Sequence, residues 1–246
     1  MTHTPLGTVG YPFPEFDDLT GGMRPGQLIV IASRPGAGKT TLLLQILRHA
    51  AFRQRKKAHL ISLEMSEDDL WLRLLSGESA VPVKDFHTDT FTETRQDAVT
   101  AAQAEFDLGA LTVEVCPELH TFQLRPEFGA SVFAYNRGEF GIIGIDGVDQ
   151  ITDIGASRVS GVLKQRALDL GIPVVVTARY RKGFTKTSPL MEDADTVLVL
   201  HRPDTLDPDH HRAGEADIRI VKNRLGPPAV ITVAHQLFWS RFHSLS

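Results

Sequence analysis

Apolar residues in this chain fall into short unbroken runs separated by stretches of helical spacing. Leu28-Ile29-Val30-Ile31-Ala32 is such a run, the pattern of a strand buried on both faces. From about Thr40 to Arg55, Leu43, Ile46, Leu47 and Ala50 recur at helical spacing, and Arg53, Arg55, Lys56 and Lys57 suit the C-terminal end of that helix. His59 to Leu63 predicts a strand. Glu67 to Leu75 predicts a helix with Ser66 as its N-cap. Arg95 to Phe106 reads as a helix and Leu111 to Val115 as a strand. Ile142 to Asp146 is an apolar run ending in an acid. Arg158 to Leu170 is helical, stopped by Gly171 and Pro173. Val174 to Thr177, Thr196 to Leu200, Ile218 to Val221 and Val230 to Val233 read as further strands. Alternating strands and helices imply crossover connections. The expected class is α/β, a mainly parallel sheet flanked by helices with an antiparallel, strand-rich C-terminal end.

Composition narrows this picture. The 246 residues are 42% hydrophobic and 23% charged, which excludes a disordered chain and suits one large domain. Residues 1–26 are rich in Pro and Gly and read as an irregular lead-in, with Phe13 and Phe16 available to dock on a core. Residues 27–246 read as a single domain. The net charge of −4 gives no overall pull toward nucleic acid, so such binding would need a local patch. The single cysteine, Cys116, excludes an intrachain disulfide and a multi-cysteine zinc site. No apolar run approaches the roughly 18 residues that span a bilayer, and no basic segment leads into an apolar one at the N-terminus. The expected location is cytoplasmic, with no membrane partner.

Candidate chemistry is concentrated in Ser33-Arg34-Pro35-Gly36-Ala37-Gly38-Lys39-Thr40-Thr41. The segment follows a predicted strand and precedes a predicted helix, the setting a phosphate-binding P-loop requires. Its glycines let backbone N–H groups turn onto phosphate oxygens, and the helix N-terminus adds its positive end. Lys39 would reach the β and γ phosphates of ATP, and the Thr40 hydroxyl would hold Mg²⁺. Ser33 stands where the usual pattern has its first Gly, a position a small residue can fill if its φ is negative.

Hydrolysis needs acids as well. Asp146 ends a predicted central strand, where ligands bind in open α/β sheets, and is the candidate metal-side acid. Asp149 nearby reads as a solvated loop acid. Glu64, in Ser62-Leu63-Glu64-Met65, also ends a strand. It can polarise an attacking water, or it can be an ordinary surface acid before a helix, and the residues alone leave both readings open.

Taken in order, these segments resemble a family. Met23-Arg24-Pro25-Gly26-Gln27 leads into the strand and P-loop. Ser62-Leu63-Glu64-Met65 and Ile145-Asp146 follow. Then come Ile172-Pro173-Val174-Val175, Glu192-Asp193-Ala194-Asp195, Val221-Lys222-Asn223-Arg224-Leu225-Gly226-Pro227 and Phe238-Trp239-Ser240-Arg241-Phe242. From about residue 7 to 243 the chain resembles the C-terminal, RecA-like ATPase domain of DnaB-type replicative helicases. The resemblance implies a P-loop NTPase that hydrolyses ATP with Mg²⁺ at the interfaces of a hexameric homo-oligomeric ring and translocates on single-stranded DNA during replication, with a primase or loader as further partners. It implies Glu64 as catalytic glutamate, Asp146 as Walker B acid, and Lys222 and Arg224 as the basic pair that reaches a neighbouring subunit's nucleotide. By sequence alone Arg224 reads as a charged turn residue before Gly226-Pro227.

Two departures stand out. The family's helical N-terminal domain and linker helix have no counterpart in this sequence. A Ser-Gln pair that senses the γ phosphate is replaced by Ala178-Arg179. They keep a second reading open, a RecA-like ATP-binding regulatory or accessory module without unwinding activity. The segment Arg179-Tyr180-Arg181-Lys182-Gly183-Phe184-Thr185-Lys186 lies where the family places a DNA-binding loop. Arg179, Arg181, Lys182 and Lys186 would neutralise backbone phosphates, and Tyr180 and Phe184 would stack on bases; a solvated loop is the alternative. His210-His211 reads as part of a Pro/Asp-rich connection and not a metal site. Trp71 and Trp239 read as packing residues.

Overall fold

The structure is a computed structural model that describes residues 7–88, 92–124, 138–151, 156–180 and 189–245. In chain order its elements are α1 (Pro14–Thr20), β1 (Leu28–Ser33), α2 (Lys39–Arg48), β2 (Ala58–Ser62), α3 (Glu67–Ser79), α4 (Glu93–Asp107) and β3 (Leu111–Val115). There follow β4 (Ile142–Asp146), α5 (Ala156–Leu170), β5 (Val174–Arg179), α6 (Pro189–Asp193), β6 (Thr196–His201), β7 (Glu215–Asn223), β8 (Ala229–Gln236) and β9 (Arg241–Ser244).

The described strands form one sheet in the order β3-β2-β4-β5-β1-β6-β7-β8-β9. Pairing is parallel from β3 to β6 and antiparallel from β6 to β9. This is the mainly parallel sheet with an antiparallel end that the alternation predicts. Side chains alternate across it with a period of two. Ile29 and Ile31 join α2, α3 and the C-terminal strands on one face, while Leu28, Val30 and Ala32 join α5 on the other. Both faces are covered, so β1 is buried along its whole length and reads as a continuous apolar run.

The helix α2 lies against the centre of the sheet. Leu42, Leu43, Leu44, Ile46 and Leu47 are all buried, and burial of each such side chain contributes about 2 kcal/mol. Gly144 on β4 makes the close approach possible, because a Cβ there would lie 2.7 Å from Leu47 Cδ1 and 3.0 Å from Leu43 Cδ1. The expected single helix from Thr40 to Arg55 instead ends as α-helix at Arg48 and continues as a π-helical turn, His49–Arg53. Ser66 is the N-cap of α3, accepting from the Asp69 N–H at 3.2 Å.

The lead-in also differs from expectation. Residues 14–20 are helical, with Pro14 at the start where its missing N–H costs nothing. Val9 bridges to Met23, and Phe13 and Phe16 are buried. Their aromatic packing outweighs the turn-forming composition around them. Among the described residues no helix is long and apolar enough to cross a membrane.

Candidate nucleotide site

Four neighbouring parallel strands deliver the site. Ser33 at the end of β1 pairs with Arg179 at the end of β5, and Ser62 at the end of β2 pairs with Asp146 at the end of β4. One edge of the sheet therefore gathers the P-loop, Glu64, Asp146 and Arg179. Carboxyl ends of parallel strands are where open α/β sheets bind ligands.

Residues 34–38 turn sharply between β1 and α2. Gly36 and Gly38 have φ of +76° and +104°, a region L side chains rarely adopt. At Gly38 there is also no room, since a Cβ would sit 2.8 Å from Phe242 Cζ. Ser33 keeps an ordinary negative φ, is buried, and turns its hydroxyl to the Arg34 carbonyl at 2.8 Å. The first turn of α2 contains Lys39, Thr40 and Thr41, carries no acid and has no side-chain cap. Its N–H groups and positive end fit a phosphate cradle. Behind the loop, Gln45 fixes β9: its amide donates to the Phe242 carbonyl at 2.9 Å and accepts from the Phe242 N–H at 2.8 Å. Arg202, held by Asp204 at 3.1 Å, donates to the Gly36 carbonyl at 3.1 Å. The sequence offers no local sign of that brace.

The polar residues are tightly interconnected. Thr40 Oγ1 donates to the Asp146 carboxylate at 2.9 Å. Thr177, fully buried on β5, donates to Asp146 Oδ1 at 2.7 Å and accepts from the Gly147 N–H at 2.8 Å. Burial pushes the pKa of Asp146 up, against the hydrogen bonds from Thr177 and Thr40 and the charge of Lys39. A buried carboxylate beside a hydroxyl is a donor set that suits a divalent cation.

Glu64 is shared by two cations. Lys39 Nζ lies 2.8 Å from Oε2 and the Arg179 guanidinium 3.1 Å from Oε1. Burial pushes Glu64 up, but these hydrogen bonds and charges outweigh it and hold the carboxyl below its ordinary range. The open choice at Glu64 is thus narrowed: its side chain is half-buried beside the P-loop lysine and is not a free surface acid. Arg179 belongs by position to the basic segment, yet its guanidinium faces Glu64. Arg181, Lys182 and Lys186 lie outside the described residues. Asp149 is not a merely solvated acid, because it accepts from the Arg179 N–H and ties the end of β5 to the loop after β4.

Lys222 and Arg224 lie at the opposite edge of the sheet. Asn223 pairs with Thr196 at the start of β6, and the Arg224 N–H donates to the Asp195 carbonyl. The Arg224 guanidinium lies 3.5 Å from the Asp195 carboxylate, which also takes Lys164 at 2.6 Å and the Leu28 N–H at 2.8 Å. Lys222 Nζ donates to the carbonyls of Met191 and Glu192 at the end of α6. β1 is six residues long, so roughly 17 Å of strand separates this edge from the P-loop edge.

Residues 9–244 match the family described as DnaB-like helicase C terminal domain. The chain belongs to that family. The DnaB-like domain is 29% identical to the replicative DNA helicase DnaB of Leifsonia xyli subsp. xyli, across all of this chain and 57% of the relative. It thus spans little more than half the length of the curated relatives it matches. A solved structure described as an isolated ATPase domain superposes with a TM-score of 0.85 at 21% identity, covering 99% of this chain and 94% of that one. A DnaB-like replicative helicase, solved with its interactions with primase, superposes with a TM-score of 0.84 at 20% identity over 97% of this chain and 62% of that one. These likenesses bear on the fold. The DnaB-like domain here shares the RecA-like ATPase architecture that the motif order predicts.

Proposed function

We propose that this chain is the motor domain of a replicative-type DNA helicase. In this reading it binds ATP with Mg²⁺, assembles as a hexameric ring, and uses hydrolysis at subunit interfaces to translocate on single-stranded DNA. The relatives carry the name replicative DNA helicase, and one structural neighbour was solved with primase, which makes a primase or loader a natural further partner. Work on replicating DNA puts the domain in the cytoplasm in the same reading.

The observation that carries the reading is the separation of Arg224 from its own P-loop. An arginine held by Asp195 about 17 Å away cannot meet this chain's own phosphates, but an adjacent subunit would bring it to a neighbour's. Such an arginine stabilises charge on the γ phosphate and makes hydrolysis depend on subunit geometry.

Each residue then has a task. The α2 amides and Lys39 bind the phosphates. Thr40 and Asp146 would hold Mg²⁺, which supplies charge neutralisation on the phosphate oxygens. Glu64 orients the attacking water once Lys39 turns to the phosphates. Arg179 links Glu64 to the end of β5, directly before the basic segment that would track DNA.

Steady-state ATP hydrolysis by the full chain, with and without single-stranded DNA, tests this. Turnover stimulated by DNA and lost in Arg224→Ala is the expected result. Nucleotide binding without any DNA response would assign the chain to the accessory-module reading instead.

A further inference from the structure

At the far end of α2 from the P-loop lies a cavity of about 330 Å³ between the end of α3 and β9. Arg48, Arg53 and Arg241 line it, and Glu78 is the single acid among its lining residues. Glu78 pairs with both Arg48 and Arg53. Arg241 is left with a neutral partner, the Gln236 amide oxygen at 3.0 Å, and lies 4.7 Å over the Trp239 ring. His49 and His243 also line the cavity, and burial lowers the pKa of each, so that they carry no charge at neutral pH.

Arg48 is the anomaly. It is 5% exposed, and burial, eased by Glu78 and reinforced by the charges of Arg241 and Arg53, lowers its pKa to about 10. Its guanidinium lies against Gly77, where a Cβ would be 2.5 Å from it. Its buried Nε–H has no acceptor among the described residues, and neither does the buried Trp239 indole N–H nor the buried Ser240 hydroxyl, on the segment leading into Arg241. Buried donors without acceptors are rare and costly. Here they coincide with a surplus of positive charge.

We propose that this cavity is a binding site for a phosphate-class oxyanion, separate from the nucleotide site. Three guanidinium groups against one carboxylate leave two formal charges, the charge of a phosphate or phosphate monoester dianion. Guanidinium forks match phosphate oxygens bidentately. The C-terminal end of α2 adds only about half a negative charge, which the arginines outweigh. Lys39 and Arg48 mark the two ends of α2, roughly 14 Å apart, so an anion at one end does not occupy the other.

The test uses the full chain carrying Lys39→Ala, which silences the nucleotide site. Calorimetric titration at constant ionic strength uses inorganic phosphate in one arm and glycerol 3-phosphate in the other, distinguishing a free ion from an ester. Saturable binding in either arm, weakened about tenfold or more by Arg241→Gln or by the more exposed Arg53→Gln, is expected. No saturable binding in both arms, or binding that neither substitution weakens, overturns the proposal.

Discussion

Thr177→Val tests whether the fold itself holds the metal-side acid. Valine nearly reproduces the shape of threonine, so no cavity opens and the change isolates the hydroxyl. Two hydrogen bonds are lost, one to Asp146 and one from Gly147, both at a fully buried position. A hydrogen bond to a charged group contributes about 1.5–3 kcal/mol, and a buried N–H left unpaired costs about 1–3 kcal/mol. The two losses share neighbours and do not add fully, so the net cost is about 3 kcal/mol. For a domain of this size that lowers Tm by about 6–12 °C. The same change removes a bond that keeps Asp146 ionised, so burial pushes its carboxyl higher and Mg²⁺-dependent nucleotide binding weakens. Thr177→Ser keeps the hydroxyl and should recover the Mg²⁺ response, losing only about 1 kcal/mol of methyl burial. Scanning calorimetry and nucleotide binding titrated with Mg²⁺ read both effects. If Thr177→Val melted within about 2 °C of the parent and kept its Mg²⁺ response, the reasoning would fail.

Lys39→Ala should abolish nucleotide binding in an equilibrium fluorescence titration, because it removes the charge aimed at the phosphates. Glu64→Gln should bind ATP normally and lose about 100-fold or more in turnover; hydrolysis at the parent rate would remove Glu64 from its role. Gly144→Ala should cost about 1–3 kcal/mol in urea unfolding through overpacking, since the new methyl group meets Leu43 and Leu47. Asp217 is held below its ordinary range, first by the Arg212 hydrogen bond, against the effect of burial. Its stabilising contribution is therefore present above the unfolded carboxylate pKa and lost as pH falls through the lower folded value. Asp217→Asn should flatten the fall of Tm below about pH 4.

Much of the framework was legible in the chain because burial on both faces writes strands as unbroken apolar runs. Leu111–Val115 and Ile142–Asp146 fall where the pattern puts them, and Asp146 is found at its strand end. Motif order carried the architecture, since a P-loop between a buried strand and an amphipathic helix has few alternatives. Other features depend on partners distant in sequence. α1 forms within a Pro/Gly-rich lead-in because Phe13 and Phe16 find a core that only the folded sheet supplies. The short strand β9 has no pattern of its own and takes its place because Gln45 pins it. Thr177 looks like one more β-branched strand residue, and its hydroxyl matters only because Asp146 lies on the next strand. Arg179 sits in a basic run, and nothing local shows that it turns back to Glu64. Arg224 has meaning only relative to an edge of the sheet, which no linear pattern displays.

That last placement underlies the central claim, that each nucleotide site is completed by a neighbouring subunit. It is tested most directly by mixing two inactive chains, Lys39→Ala and Arg224→Ala, and measuring ATP hydrolysis on single-stranded DNA. Interfaces that join an intact P-loop to an intact Arg224 should restore about a quarter of the parent rate in an equal mixture of freely exchanging head-to-tail subunits. A mixture as inactive as either chain alone, or an Arg224→Ala chain that hydrolyses at the parent rate unaided, would contradict it.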